Sequence, residues 1–168
     1  MRLALAGVLV VAVIVAVVLL PRSAGPTAGG PLAHPAGLLV NTHIAQGEDG
    51  TWGIPLIAPE GADPAILESV VPAVEPVGVT VLGISAAVIG DTSVGTARGY
   101  PPAGMTLEPV EGMTVPAQGA GPRVQLVIGL HYTGPEAGRI EGLRVNYSVG
   151  DRRYEAVIDA TLQVTPPE

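Results

Sequence analysis

Hydrophobic and polar residues alternate in three blocks near the C-terminal end of this 168-residue chain. In the first, Val124, Leu126, Ile128, Leu130 and Tyr132 hold the even positions, with Gln125, Gly129 and His131 among the odd ones. The second sets Leu143, Val145, Tyr147 and Val149 against Arg144, Asn146, Ser148 and Gly150. The third sets Tyr154, Ala156, Ile158, Ala160, Leu162 and Val164 against Glu155, Asp159, Thr161 and Gln163. A period of two belongs to a strand with one face in a core. Turn clusters at Thr133-Gly134-Pro135-Glu136 and Gly150-Asp151-Arg152 separate the blocks. The pattern therefore predicts an antiparallel meander of three strands, with His131 on the outward side.

Upstream the elements are shorter. Gly78 to Ile84 reads as a strand that continues through Ala86 to Ile89 past a bulge near Ser85. Asp63-Pro64 would suit the start of a helix, but Pro72 limits it to two turns, and Ile66 to Val71 is short and rich in β-branched residues. A strand is the better expectation there. Residues 38 to 62 offer two Pro-bounded edge segments, one at Leu38-Leu39-Val40 and one from Trp52 to Ile57, around a polar turn at Gly47-Glu48-Asp49-Gly50. Nine of the 17 Pro lie between Pro21 and Pro76, whereas only Pro135 interrupts residues 123–165. Because Pro removes a ladder donor, the inner strands belong in the Pro-poor stretch. The expected fold is an all-β antiparallel β-sandwich of immunoglobulin-like or fibronectin-like architecture.

The N-terminal pattern is of another kind. Leu3 to Leu20 is a run of 18 residues without a charged or polar side chain. As a helix it measures about 27 Å, close to the roughly 30 Å of bilayer hydrocarbon. A cleavable secretory signal is the rival reading, with Ser23-Ala24-Gly25 as its site, but Pro26 would follow the cut. The expectation is an uncleaved signal anchor over residues 1–22, a Pro/Gly-rich linker over 23–37 and an extracytoplasmic domain over 38–168. Arg2 and the α-amino group precede the span and Arg22 follows it, which keeps the N-terminus inside and places the domain outside the cytoplasm. The lipid bilayer is then a partner through residues 3–20.

Composition narrows the options further. Hydrophobic residues reach 48% but aromatics only 3%, so the core is aliphatic. The absence of Cys rules out disulfides, thiol nucleophiles and cysteine metal sites, and suits an oxidising compartment. Net charge is −7, and beyond Arg2 seven Arg face 15 acidic residues. Such a surface repels nucleic acid, whose binding depends on clustered cations.

The strand at Ala65 to Val70, the strand Gly78 to Ile84, the loop Gly99-Tyr100-Pro101-Pro102, and the tail from Leu126-Val127-Ile128-Gly129-Leu130 through Gly142 to Tyr147 and Tyr154 resemble small membrane-anchored extracytoplasmic proteins of actinobacteria. The resemblance covers residues 63–164. It implies the fold and the location and assigns no functional residue.

Candidate chemistry is sparse. His34 lies in the linker, and His43 precedes Glu48 and Asp49 at a spacing that matches no metal motif. His131 with Met105 and Met113 supplies the imidazole and thioether ligands that suit Cu(I), against the plainer reading of a surface His and two Met that close the core. For catalysis there is no Gly-x-Ser-x-Gly elbow. Ser85 and Ser93 have no base in sequence, and Glu108 and Glu111 read as solvated carboxylates. Gly90 to Gly95 lacks the Lys of a phosphate loop. Asn146-Tyr147-Ser148 has the form of a glycosylation acceptor but falls inside a strand. Tyr100-Pro101-Pro102 reads either as a partner contact at a loop tip or as a rigid turn over one end of the sandwich. The expectation is a non-enzymatic binding or structural protein without a cofactor, touching another protein of the cell envelope. A copper carrier and a hydrolase of unrecognised type are the alternatives.

Overall fold

The computed structural model describes residues 25–32, 36–56, 63–90 and 93–167. The span expected over residues 3–20 lies outside them. Among the described residues no helix is long and apolar enough to cross a membrane.

The chain forms eleven strands: β1 (Thr27–Ala28), β2 (Leu38–His43), β3 (Asp49–Leu56), β4 (Ala65–Pro72), β5 (Val79–Ile89), β6 (Thr96–Arg98), β7 (Glu108–Pro109), β8 (Thr114–Val115), β9 (Arg123–Tyr132), β10 (Gly138–Val149) and β11 (Arg152–Thr165). They make two sheets. One has the order β1-β11-β10-β4-β8, with β2 also on β11, and the other the order β6-β3-β9-β5-β7. Both β1 and β2 pair with β11 in parallel, while every other ladder is antiparallel.

A shared core lies between the sheets. Trp52, Ile54, Leu126, Ile128, Leu130 and Tyr132 enter it from one side, and Leu67, Ile140, Leu143, Tyr147, Ile158 and Leu162 from the other, all fully buried. These are the alternating sets of the sequence, and with them the fold is an all-β sandwich. Irregularities in β4 (between Leu67 and Ser69), β5 and β10 keep the alternation aimed inward. The ladder between β5 and β9 shifts register between Val81 and Gly83, so Val79 and Val81 before it and Ile84 and Ala86 after it all oppose inward residues of β9. The bulge thus sits at Leu82, which is exposed, and not near Ser85. A second shift, between Glu141 and Leu143, restarts the inward set of β10 at Leu143.

The expected meander is not formed. β10 and β11 are a hairpin, but β9 belongs to the opposite sheet, between β3 and β5. Thr133 to Ala137 carries the chain across the core, a step that alternation is blind to because inward residues of either sheet look alike. Two expectations for the N-terminal half also need correction. β2 is an edge strand, but β3 is bonded to β9 over its whole length and to β6 over Gly50, Thr51 and Trp52. Pro55 is tolerated there because its nitrogen points the same way as that of Gly53, which donates to Gly95 O away from β9. Residues 25–32 are not free linker, because Thr27 and Ala28 pair with β11 and Leu32 is buried.

Candidate functional site

Residues 90–122, between β5 and β9, are the longest excursion from the sandwich, and they serve both sheets. Within them β6 edges β3, β7 edges β5 and β8 edges β4. Val94 lies against Gln125, whose amide accepts from Val94 N (3.1 Å) and donates to Val94 O. Thr51 Oγ1 donates to Gly99 O at 2.6 Å. The ring of Tyr100 then covers Gly129, where a Cβ would come within 2.6 Å of both ring edges, and its hydroxyl meets Ser85 Oγ at 3.1 Å. The outward face of β9, expected to be solvated, is consequently covered, with Gln125 and Val127 fully buried. Replacing Tyr100 with Phe is expected to cost about 1 kcal/mol, the worth of one partly buried hydrogen bond, as read from the urea midpoint.

This placement settles where the Tyr100-Pro101-Pro102 loop stands. Tyr100 is half-buried, Pro102 is buried and Pro101 is exposed, so most of the tripeptide is turned onto its own sheet.

At the opposite sheet the outer face is open. Leu39, Ile66, Val71 and Val157 stand on it with exposures of 60%, 45%, 46% and 51%, each large for an aliphatic side chain. Val71, Arg144 and Val157 form one cross-strand row. Around them are the pairs Arg153–Glu68 (3.1 Å) and Arg144–Glu155 (3.9 Å) and the bond from Asn146 to Ser69 (3.0 Å). The face is mixed in polarity, and no strand among the described residues lies over it.

A third feature fastens the N-terminal segment. Gly29 N donates to Glu155 O (2.7 Å), the Tyr147 hydroxyl donates to Gly29 O (3.1 Å), and the Tyr147 hydroxyl oxygen accepts from Leu32 N (3.1 Å). Tyr147 and Tyr154 stack with centroids 5.5 Å apart. Gly30, at φ 104°, lies so close to this pair that a Cβ would come within 2.8 Å of two Tyr154 ring atoms. Burial, reinforced by Tyr154 and opposed by the Leu32 amide, pushes the Tyr147 phenol above its ordinary pKa.

The structure separates the other sequence candidates. His131 Nδ1 meets Asp49 Oδ1 at 2.7 Å, both side chains being more than a third exposed. His43 Nδ1 meets Thr165 Oγ1 at 2.9 Å instead of approaching Glu48 or Asp49. Met113 is in the core, its backbone bonded to Leu67, while Met105 lines a shallow cleft with Val88 and Ile89. His131 lies opposite Thr80, eight residues up β5 from Val88, a separation of about 25 Å. His131, Met105 and Met113 are therefore not brought to one site. His34 falls outside the described residues. Among the described residues no group of three His, Asp or Glu side chains is placed to hold a metal ion. The Asp49–His131 pair, the Gln125–Val94 clasp and the Tyr147 clamp were missed in the sequence, because each joins residues more than 30 positions apart.

Fold and site together define a β-sandwich with one strapped face and one open face. No protein-family profile matches the chain, and no curated protein matches it. Among solved structures it is similar to the VesB protease of Vibrio cholerae (TM-score 0.43, 10% identity), covering 80% of this chain and 32% of that one. It is also similar to the ASH/PapD-like domain 7 of human CEP192 (TM-score 0.41, 11% identity), covering 89% and 93%. The chain thus spans about a third of the protease structure. Likenesses this loose carry no functional argument.

Proposed function

We propose that this protein is a membrane-anchored, extracytoplasmic, non-enzymatic binding module that contacts another protein of the cell envelope, on a sandwich of the immunoglobulin-like class. The architecture is supported by the strand order. The long strands β3, β9 and β5 stand where B, E and D stand in an immunoglobulin sandwich, and β4, β10 and β11 stand where C, F and G do. The anchor rests on the uninterrupted apolar run Leu3 to Leu20.

The observation that carries the binding role is the difference between the two outer faces. The chain covers one face with its own excursion and leaves four large aliphatic side chains exposed on the other. Exposed aliphatic side chains rimmed by polar groups on an outer sheet face support a protein contact there.

Full-length protein is solubilised from membranes and purified beside the double variant Val71→Arg, Val157→Arg. The expected result is one co-purifying protein at near-stoichiometric level with the parent and its loss with the variant, whose thermal midpoint stays within a few degrees because both sites are exposed. A parent that emerges alone, or a variant that keeps the partner, overturns the assignment of this face.

A further inference from the structure

From the tether and its clamp we infer that the sandwich sits end-on against the bilayer, with the end bearing the β10–β11 turn as its lipid-facing surface and the opposite end pointing outward. This rests on the anchor reading given above. Only six residues, Pro21 to Pro26, separate Leu20 from the first paired residue, Thr27. Fully extended they span at most about 25 Å. Had the whole Pro/Gly-rich stretch been free up to Leu38, its reach would have been about 60 Å. The hydrogen bonds at Gly29 and Tyr147 remove that freedom.

The direction of entry is also determined. β1 runs parallel to β11 with Thr27 opposite Tyr154, so the chain arrives beside the β10–β11 turn and runs along the long axis. The ladders put the same end of the molecule at Leu56, Ala65, Ile89, Val115 and Arg123. The other end carries Asp49, Val79, Tyr132, Gly138 and Thr165. Eleven residues of β5 separate the ends by about 35 Å.

The ends differ in polarity in the sense the geometry requires. The tethered end carries Arg123, Arg152 and Arg153 beside Asp63 and Asp151, with Glu68, Glu108 and Glu111 close by, so it too is acidic. It also holds an apolar cleft of about 450 Å³ lined by Leu56, Val115, Pro116, Ala117, Pro122 and Val124. At the far end Glu48, Asp49, Glu75, Glu136 and Glu141 outnumber Arg98 and Arg139. Charge is of one sign at both ends, so the short tether and the apolar cleft decide which end faces the lipid.

The chain has no Cys, so single cysteines report one place each. Full-length Asp151→Cys and Glu48→Cys proteins, each carrying a fluorophore, are reconstituted into phosphatidylcholine/phosphatidylglycerol vesicles containing a lipid with a nitroxide on its headgroup. Quenching is expected to be several-fold stronger at position 151 than at 48. A second pair, Gln118→Cys against Glu136→Cys, guards against one perturbing label and should give the same order. Adding Gly30→Val, which evicts the segment from the Tyr147–Tyr154 pair, should weaken quenching at 151. Equal quenching at the two ends, or the reverse order, overturns the end-on seating while leaving the anchor intact. Protein that fails to float with the vesicles overturns the anchor itself, and the seating with it.

Discussion

Tyr147→Ala is expected to lower the unfolding free energy by about 4 kcal/mol, the range measured for removing a fully buried large aromatic side chain. Tyr147 has no exposed surface, stacks on Tyr154, and its hydroxyl holds Gly29 O and Leu32 N. Losing it empties a core site and detaches the N-terminal segment at once. Tyr147→Phe isolates the second effect. It keeps most of the ring volume, leaves the Leu32 amide without a partner and should cost about 2 kcal/mol. Equilibrium urea unfolding at pH 7 separates the two values. A cost below 1 kcal/mol for the Ala variant would mean that the clamp is not part of the folded unit.

The same residue sets a pH dependence. Its phenol is raised above 10.0, chiefly by burial, so the folded chain holds the proton more tightly than the unfolded one. The stabilisation is fully present below about pH 10 and is lost as pH rises through the folded value. The Phe variant should lack this loss, and comparing the two proteins between pH 9 and pH 11 checks it.

Gly53→Ala is the second large effect, expected at about 3 kcal/mol. A Cβ at Gly53 would run into Val94 O and Gln125 Nε2. One of these is backbone, so no rotamer change relieves the contact. The strap must lift, which breaks both bonds between Val94 and Gln125 and exposes the Gln125 amide, buried in the native state. Because the excursion also carries β6 to β8, lifting it loosens edges of both sheets. Hydrogen exchange should show faster exchange at Val94 and across β6, while the β10–β11 hairpin stays protected. Unchanged exchange at Val94 would mean that the strap does not depend on the glycine.

The strands were legible to the extent that one rule sufficed. A strand facing a core on one side shows a period of two, and the inward sets of β9, β11 and, beyond its bulge, β10 follow it. The rule fails where a second layer covers the other face. Gln125, Val127 and Gly129 look like the solvent side of an ordinary strand, yet Tyr100, Val94 and their neighbours lie over them. Nothing local marks this, since Gln and Gly are ordinary at exposed positions. The only trace was the unusual Gly at 53, 83 and 129, three positions without side chains on one face. The N-terminal segment misled for a related reason. Its Pro and Gly content describes a linker when read alone, but a short stretch needs little burial of its own if a waiting edge strand supplies partners.

By itself, the sequence determined the apolar N-terminal run, the acidic and cysteine-free character of the rest, the all-β class and most of the core residues of β9, β10 and β11. Each of these follows from composition or from spacing within one strand, interactions that act over a few residues. Tertiary structure decided which sheet each strand joins, that β9 crosses away from β10, that one face is strapped and the other open, and that the segment at Thr27 and Ala28 pairs with β11. Those outcomes depend on contacts between residues dozens of positions apart, and a periodic pattern carries no information about which distant surface will cover it.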